Sequence, residues 1–255
     1  MILSFNRQFA FVHVHKCAGT SIEVALAAHL APNDLVLGST AGGERLQSVF
    51  KQVIGLDKHA TAAQARQWLG PQRWAQWYTF AFVRHPLERL RSLYTFARGL
   101  AEAQPMDEAE RRAWEDEARW PNRLPYHYAA VRAAVQSETF DAFLCHPLTW
   151  RDAGAQPMWR SLCDERQQLL VDFVGHVETA EDDWAQVQQR LALDAPLGMH
   201  NRSRHNTEVT LSDAAWAQVR AHCLTDFQRF GYPVPAALAG EPWPAPPPEN
   251  DDAAG

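Results

Sequence analysis

The feature that most constrains this chain is an apolar run that breaks into a short polar turn and restarts as a helix, "FVHVHKCAGTSIE" over residues 11 to 23. "QFAFVHV" (8 to 14) has the composition of a strand, and Ile22, Leu26 and Leu30 recur at helical spacing in "GTSIEVALAAHLA" (19 to 31). The arrangement returns downstream. "YTFAFV" (78 to 83) ends at Arg84, and "HPLERLRSLYTFARGL" (85 to 100) follows with Pro86 where a first helical turn accepts it. "QLLVDFVGHVE" (168 to 178) reads as a third strand, and Thr179, with Asp182 three places on, is the expected N-cap of the next helix; Ser212 opens the last one similarly. Strands separated by helices predict an α/β fold in three layers, with a mostly parallel central sheet flanked by helices and ligands beyond the carboxyl ends of its strands. Residues 101 to 165 read as helix and loop capping that core. Residues 1 to 239 are expected to form one domain, and the Pro-rich acidic tail, 240 to 255, is too poor in packable side chains to fold.

Composition limits what such a domain can bind. At 255 residues and 46% hydrophobic, the chain can bury one sizeable core. A net charge of -6 argues against broad attraction to nucleic acid or anionic lipid, so any anion site must be local. No stretch approaches the roughly 18 to 20 apolar residues of a membrane span, and "MILSFNRQFAF" lacks a signal-peptide pattern, which makes a cytoplasmic location the expectation. The four cysteines show neither zinc-site nor disulfide spacing and read as reduced thiols. His13 and His15 share one strand face, but with no third ligand at recognisable spacing they are expected to pack beside the turn and not to hold a metal.

A strand feeding a tight turn into a helix leaves backbone N–H groups pointing outward with the helix dipole behind them, which suits a phosphate. In "HKCAGTS", Cys17 and Ala18 form the turn, Gly19 allows close backbone approach, Thr20 and Ser21 add hydroxyl donors, and Lys16 supplies a mobile cation. The nucleoside-triphosphate pattern G-x-x-x-x-G-K-[ST] places its lysine after the glycines, whereas Lys16 precedes Gly19. A plain surface turn is the simpler alternative. The second unit weighs against it, because Arg84 and Ser92, about two helical turns on, can reach one anion if the chain doubles back at His85 and Pro86. Two anion cradles at one sheet edge suit an adenine nucleotide with separate 5′ and 3′ phosphate groups.

"FVHVHKCAGTSIE" resembles the 5′-phosphosulfate loop, and "FAFVRHPLERLRSLY" the 3′-phosphate segment, of sulfotransferases that use 3′-phosphoadenosine 5′-phosphosulfate, most closely the carbohydrate-directed type and its bacterial relatives. "KHATA" (58 to 62), "LLVDFVGHVET" and "DFQRFGY" (226 to 232) extend the similarity over residues 8 to 233. The resemblance implies a P-loop-like nucleotide-binding core and in-line transfer of a sulfuryl group from that co-substrate to an acceptor hydroxyl on a saccharide, with no metal. It also implies that Lys16 stabilises or protonates the leaving oxygen, that a His or Glu near "KHATA" is the general base, and that the polar loop "HNRSRHNT" (200 to 207) brings Ser203 and Arg204 to the nucleotide. His59 is the candidate base, since imidazole titrates near neutrality. "GHVE" carries His176 and Val177 where relatives often have Arg and an aromatic residue, so Glu178 is assigned a structural role only.

Two further readings stay open: a nucleotide kinase or related phosphoryl-transfer enzyme, and a nucleotide-binding module without catalysis. Arg84 has a competing structural partner in Glu88 or Glu178, and Arg89 and Arg91 are expected on a solvated helix face. Trp74, Trp77 and Trp159 are candidates for an acceptor cleft, since sugar rings stack on aromatic faces, and "QPMW" (156 to 159) resembles a family segment near the acceptor.

Overall fold

The computed structural model describes residues 1–112, 123–198 and 210–239. Ser203, Arg204 and the tail 240–255 lie outside the described residues, as do 113–122. Along the chain run β1 (Ile2–Ser4), β2 (Phe9–Val12), α1 (Gly19–Ala27), β3 (Leu35–Val36), α2 (Ala41–Ile54), α3 (Ala62–Leu69), α4 (Pro71–Gln76), β4 (Tyr78–Val83) and α5 (Pro86–Ala103). Then come α6 (Glu108–Arg112), α7 (Ala129–Val135), α8 (Phe140–Cys145), α9 (Pro147–Arg151), α10 (Trp159–Leu162), β5 (Phe173–His176), α11 (Ala180–Leu191) and α12 (Asp213–Arg229). The sheet order is β3-β1-β2-β4-β5. Its centre is parallel, β2 with β4 and β4 with β5, while β1 pairs antiparallel with both β2 and β3.

The period-2 alternation of the strands builds the three layers. Phe9, Phe11, Phe80 and Phe82 face α1 and α11, where they meet Ile22, Leu26, Trp184 and Val187. Ala10, Val12, Ala81 and Val83 face the other way, onto Ala65 and Leu69 of α3, Trp74 of α4 and Leu162 of α10. Burying each of the four phenylalanines contributes about 1.5–3 kcal/mol. The α/β, mostly parallel reading therefore holds.

Three details differ from expectation. The strands Ile2–Ser4 and Leu35–Val36 are too short to show a periodicity, and the antiparallel pair they form is tied at one end by Asp34, whose carboxylate accepts from the backbone of Phe5 and Asn6 and from Ser4 Oγ. The third strand starts at Phe173, because Asp172 turns its carboxylate onto the N–H and hydroxyl of Thr79 (2.8 and 2.9 Å), while Gln168 and Leu169 lie exposed and Leu169 only bridges back, antiparallel, to Cys163. Finally, the segment after residue 101 does more than cap the sheet: α7, α8 and α9 join α5 and α12 in a helical core of their own, centred on Leu90, Val131, Phe143, Leu148 and Phe227.

Helix ends follow local chemistry. Ser212 caps α12, accepting from the N–H of Ala215, as expected. Thr179 does not cap α11; its hydroxyl donates to Asp183 instead (2.7 Å). All four cysteines are free thiols.

Candidate active site at the carboxyl edge of the sheet

β2 and β4 are hydrogen-bonded neighbours in the register Val12↔Ala81, so the turn after β2 and the corner after β4 leave the same sheet edge side by side. Parallel neighbours lie about 4.8 Å apart. Lys16 and Arg84, remote in sequence, are thereby brought close enough for their charges to repel.

The first turn is built against backbone preference. Lys16 (φ 63°) and Ala18 (φ 58°) both adopt the left-handed region, which costs a non-glycine residue roughly 1–2 kcal/mol. Strain of this kind persists where the surrounding structure demands a backbone shape and is concentrated at functional sites. Ala18 is the N-cap of α1; no side chain caps this end and no acidic residue occupies the first turn. The positive end of the helix is thus left open to an anion. Thr20 is exposed, its hydroxyl 3.3 Å from that of Ser39, and Ser21 is buried. Cys17 is buried behind the turn, where loss of water pushes its thiol up to about 12, so it is neutral and contributes backbone only. At Gly19 a Cβ would come 2.2 Å from the His13 ring, so the absent side chain also makes room for an imidazole.

On the second unit, Pro86 opens α5 and Arg84 lies just before it. The Arg84 guanidinium reaches Glu88 only at 3.9 Å, and Glu88 is shared with Arg91 at the same distance. The Ser92 hydroxyl has no hydrogen-bond partner among the described residues. Glu88, Ser92 and Phe96 succeed one another at i, i+4 spacing along one face of α5, with Arg84 at its start. The ammonium of Lys16 rests over the Phe96 ring, 3.8 Å from its centre. Partial burial, reinforced by the charge of Arg84, pulls that ammonium down to about 8. Glu178 holds the corner in place. One carboxylate oxygen accepts from the His85 N–H at 2.8 Å and the other from the Tyr232 hydroxyl at 3.0 Å.

His59 lies beside the first turn. It stacks on His15 with ring centres 3.4 Å apart and meets His13 edge-on at 4.6 Å. Its Nδ1 is 3.0 Å from the carbonyl oxygen of His13, which can only accept, so Nδ1 carries the proton and Nε2 keeps the lone pair. Burial first, then the neighbouring His15 and His13, push its proton affinity far below the ordinary histidine range. His13 and His15 are likewise lowered by burial, to about 4 and about 3, and Nδ1 of His13 lies 3.0 Å from Glu23. The pair His13 and His15 thus packs beside the turn, and among the described residues no group of three or more His, Cys, Asp or Glu has the geometry to hold a metal ion.

This cluster makes stability depend on acid. Folded-state values lie below the unfolded value near 6.5, so its contribution is complete above that pH and is lost as pH falls toward 4. His13 alone, only 5% exposed, should remove about 2 kcal/mol by pH 5. Urea unfolding midpoints at pH 7 and pH 5 measure this, and a midpoint unchanged between them would mean that the rings titrate freely.

Four residues not read from the sequence as part of the site shape it. Arg89, expected in solvent, is 1% exposed, and its guanidinium donates to the carbonyls of Gly154 (2.5 Å), Ala155 (3.2 Å) and Gln156 (3.0 Å). Asp226, fully buried, accepts from the N–H groups of Met158 (2.8 Å) and Trp159 (3.0 Å). Two buried charges from α5 and α12 therefore pin the "QPMW" segment from either side. Phe96 is legible by continuing the i+4 row from Ser92, and Asp226 and Tyr232 are the two ends of the "DFQRFGY" segment, which marks their place in the chain but not their contacts. Trp74 and Trp77 are core side chains, with the indole of Trp74 donating to the Leu170 carbonyl, while Trp159 is half-buried.

No helix among the described residues is long and apolar enough to cross a membrane. Comparison with known proteins adds one match: the model of a family described as "Sulfotransferase family" covers residues 1–233. No curated protein and no solved structure matches the chain.

Proposed function

The chain belongs to the sulfotransferase family, and from that premise we propose that it transfers a sulfuryl group from 3′-phosphoadenosine 5′-phosphosulfate to a hydroxyl group, with a saccharide as acceptor. One observation carries the reading: the uncapped, strained turn bearing Lys16 and the corner bearing Arg84, which leads into the face of α5 that carries Ser92, leave adjacent parallel strands. The residues fit a bisphosphorylated nucleotide because each group offered to an anion is weakly committed. Lys16 has no carboxylate partner among the described residues, Arg84 has one only at 3.9 Å, and Ser92 has none.

In this reading the turn from Lys16 to Ser21 cradles the 5′-phosphosulfate, and Arg84 and Ser92 bind the 3′-phosphate. When bound, the nucleotide supplies the activated sulfuryl group, whose bond to the bridging phosphate oxygen breaks as a bond to the acceptor oxygen forms. Lys16 neutralises the charge that appears on the bridging oxygen, a charge present only as the bond breaks and therefore effective in lowering the barrier. Nε2 of His59 takes the acceptor proton. Its low proton affinity belongs to the free protein, and negative charge brought into the neighbouring turn raises it. Glu178 and Tyr232 act as positioning residues by fixing the backbone beside Arg84. The saccharide preference rests on the resemblance of the two nucleotide segments to those of carbohydrate-directed enzymes.

A rise in melting temperature with adenosine 3′,5′-bisphosphate in the absence of magnesium, followed by label transfer from phosphosulfate to a panel of sugars, phenols and lipids, tests the proposal. Stabilisation by ATP and magnesium alone would point to phosphoryl transfer. The ionisation of Lys16 gives a second expectation. Since the charged form does the work and its free-protein value is about 8, kcat/KM for the donor should fall as pH rises through 8. A profile flat from pH 7 to 9.5 would remove Lys16 from the transfer step.

A further inference from the structure

The chain has 24 cationic side chains and only three of them are lysines. Lys51 pairs with Asp57 at 3.0 Å and Lys58 with Glu44 at 2.8 Å. Lys16 alone among the three has no carboxylate within ion-pair distance among the described residues; its ammonium lies against the face of Phe96. Phe96 is 50% exposed, unlike its helix neighbours Leu93 and Ala97, which are buried. An aromatic ring held half in water, one helical turn beyond Ser92, contributes little to the core. Its clearest interaction is with the lysine.

We propose that Phe96 is the resting seat of the Lys16 ammonium, occupied while the turn after β2 is free of anion and vacated when an anion enters it. This rests on the reading that the turn binds the phosphosulfate. The chemistry favours a ring over a carboxylate for this purpose. A carboxylate would hold the ammonium by its full charge, and its own negative charge would oppose the incoming anion. The quadrupole of a half-exposed ring holds a cation weakly and brings no net charge. Arg84 repels the ammonium from the phosphate side until an anion screens the two, and the four-carbon stem lets the head group swing between seats.

Three lysines make the test direct. Reductive methylation with ¹³C-formaldehyde places a resolved methyl signal on each, and the signal lost in Lys16→Arg assigns Lys16. In the free protein that signal should lie upfield of those of Lys51 and Lys58, because it sits over an aromatic face. It should return to their position in Phe96→Leu and, in the natural sequence, on saturation with adenosine 3′,5′-bisphosphate or with pyrophosphate. Titration calorimetry should find Phe96→Leu binding the bisphosphate about 2- to 5-fold tighter, since the resting contact no longer competes. The proposal falls if the free protein shows no upfield signal, if the signal stays upfield with either anion bound, or if neither anion binds. It also falls if Phe96→Leu weakens binding, which would make the ring part of the ligand surface. Release by pyrophosphate without any binding of the bisphosphate would keep the resting seat and discard the donor reading.

Discussion

Lys16→Ala should lower kcat for sulfuryl transfer by about 10²- to 10³-fold while leaving the fold intact. That magnitude is what removal of one preorganised group facing transition-state charge costs in other enzymes. The two effects separate because of how Lys16 is held. Its side chain is half-buried and makes no ion pair among the described residues, so truncation breaks little beyond the contact with Phe96. Alanine inherits the same left-handed backbone at φ 63° and the same strain. Lys16→Arg sharpens the result: guanidinium keeps the charge but cannot release a proton near neutrality, so recovery of most of the rate would assign Lys16 to charge stabilisation and no recovery to proton delivery or to a geometry that only a point charge satisfies. Single-turnover rates with labelled phosphosulfate, read beside thermal unfolding, make the measurement. Turnover equal to that of the unaltered protein in Lys16→Ala would end its assignment to the leaving group.

Arg89→Met should destabilise the protein by about 3–5 kcal/mol, the order expected when a buried cation is removed and both its hydrogen-bond acceptors and a nearby buried carboxylate lose their compensation. The guanidinium is 1% exposed and serves three carbonyls of residues 154 to 156, and its charge offsets the burial that raises the Asp226 carboxyl above its ordinary range. Methionine fills much of the volume but leaves three acceptors without a donor and Asp226 without its compensating charge. At roughly 2–4 °C per kcal/mol for a chain of this size, the melting temperature should drop on the order of 10 °C. Adding Asp226→Asn to Arg89→Met should restore part of the loss, because the second change removes the stranded charge while one amide oxygen still accepts from the backbone of Met158 or Trp159. Losses that simply add in the double variant would show that the two groups act independently.

The legible parts of the site are those written in contiguous residues. The break from "FVHV" to "HKCAGTS" shows a strand end, a turn and a helix start because hydrophobic period, glycine and hydroxyl residues act over a few positions. Pro86 marks the start of α5 for the same reason. Arg89 was misplaced because a single helix offers no way to distinguish a buried face lined by the carbonyls of a distant loop from a solvated one. The short strands Ile2–Ser4 and Leu35–Val36 escaped because neither is long enough to show an alternation, and their pairing exists only once β1 lies between β2 and β3.

From the order of residues alone came the α/β class, the two strand-to-helix turns and the cationic residue at each, since these follow from local backbone preference and side-chain chemistry. Tertiary structure decided that β2 and β4 are neighbours, that His59 presents one defined tautomer, and that Lys16 rests on Phe96. The physical reason is that strand register and side-chain packing join residues far apart in the chain, and their energies exist only after the sheet and α5 have come together.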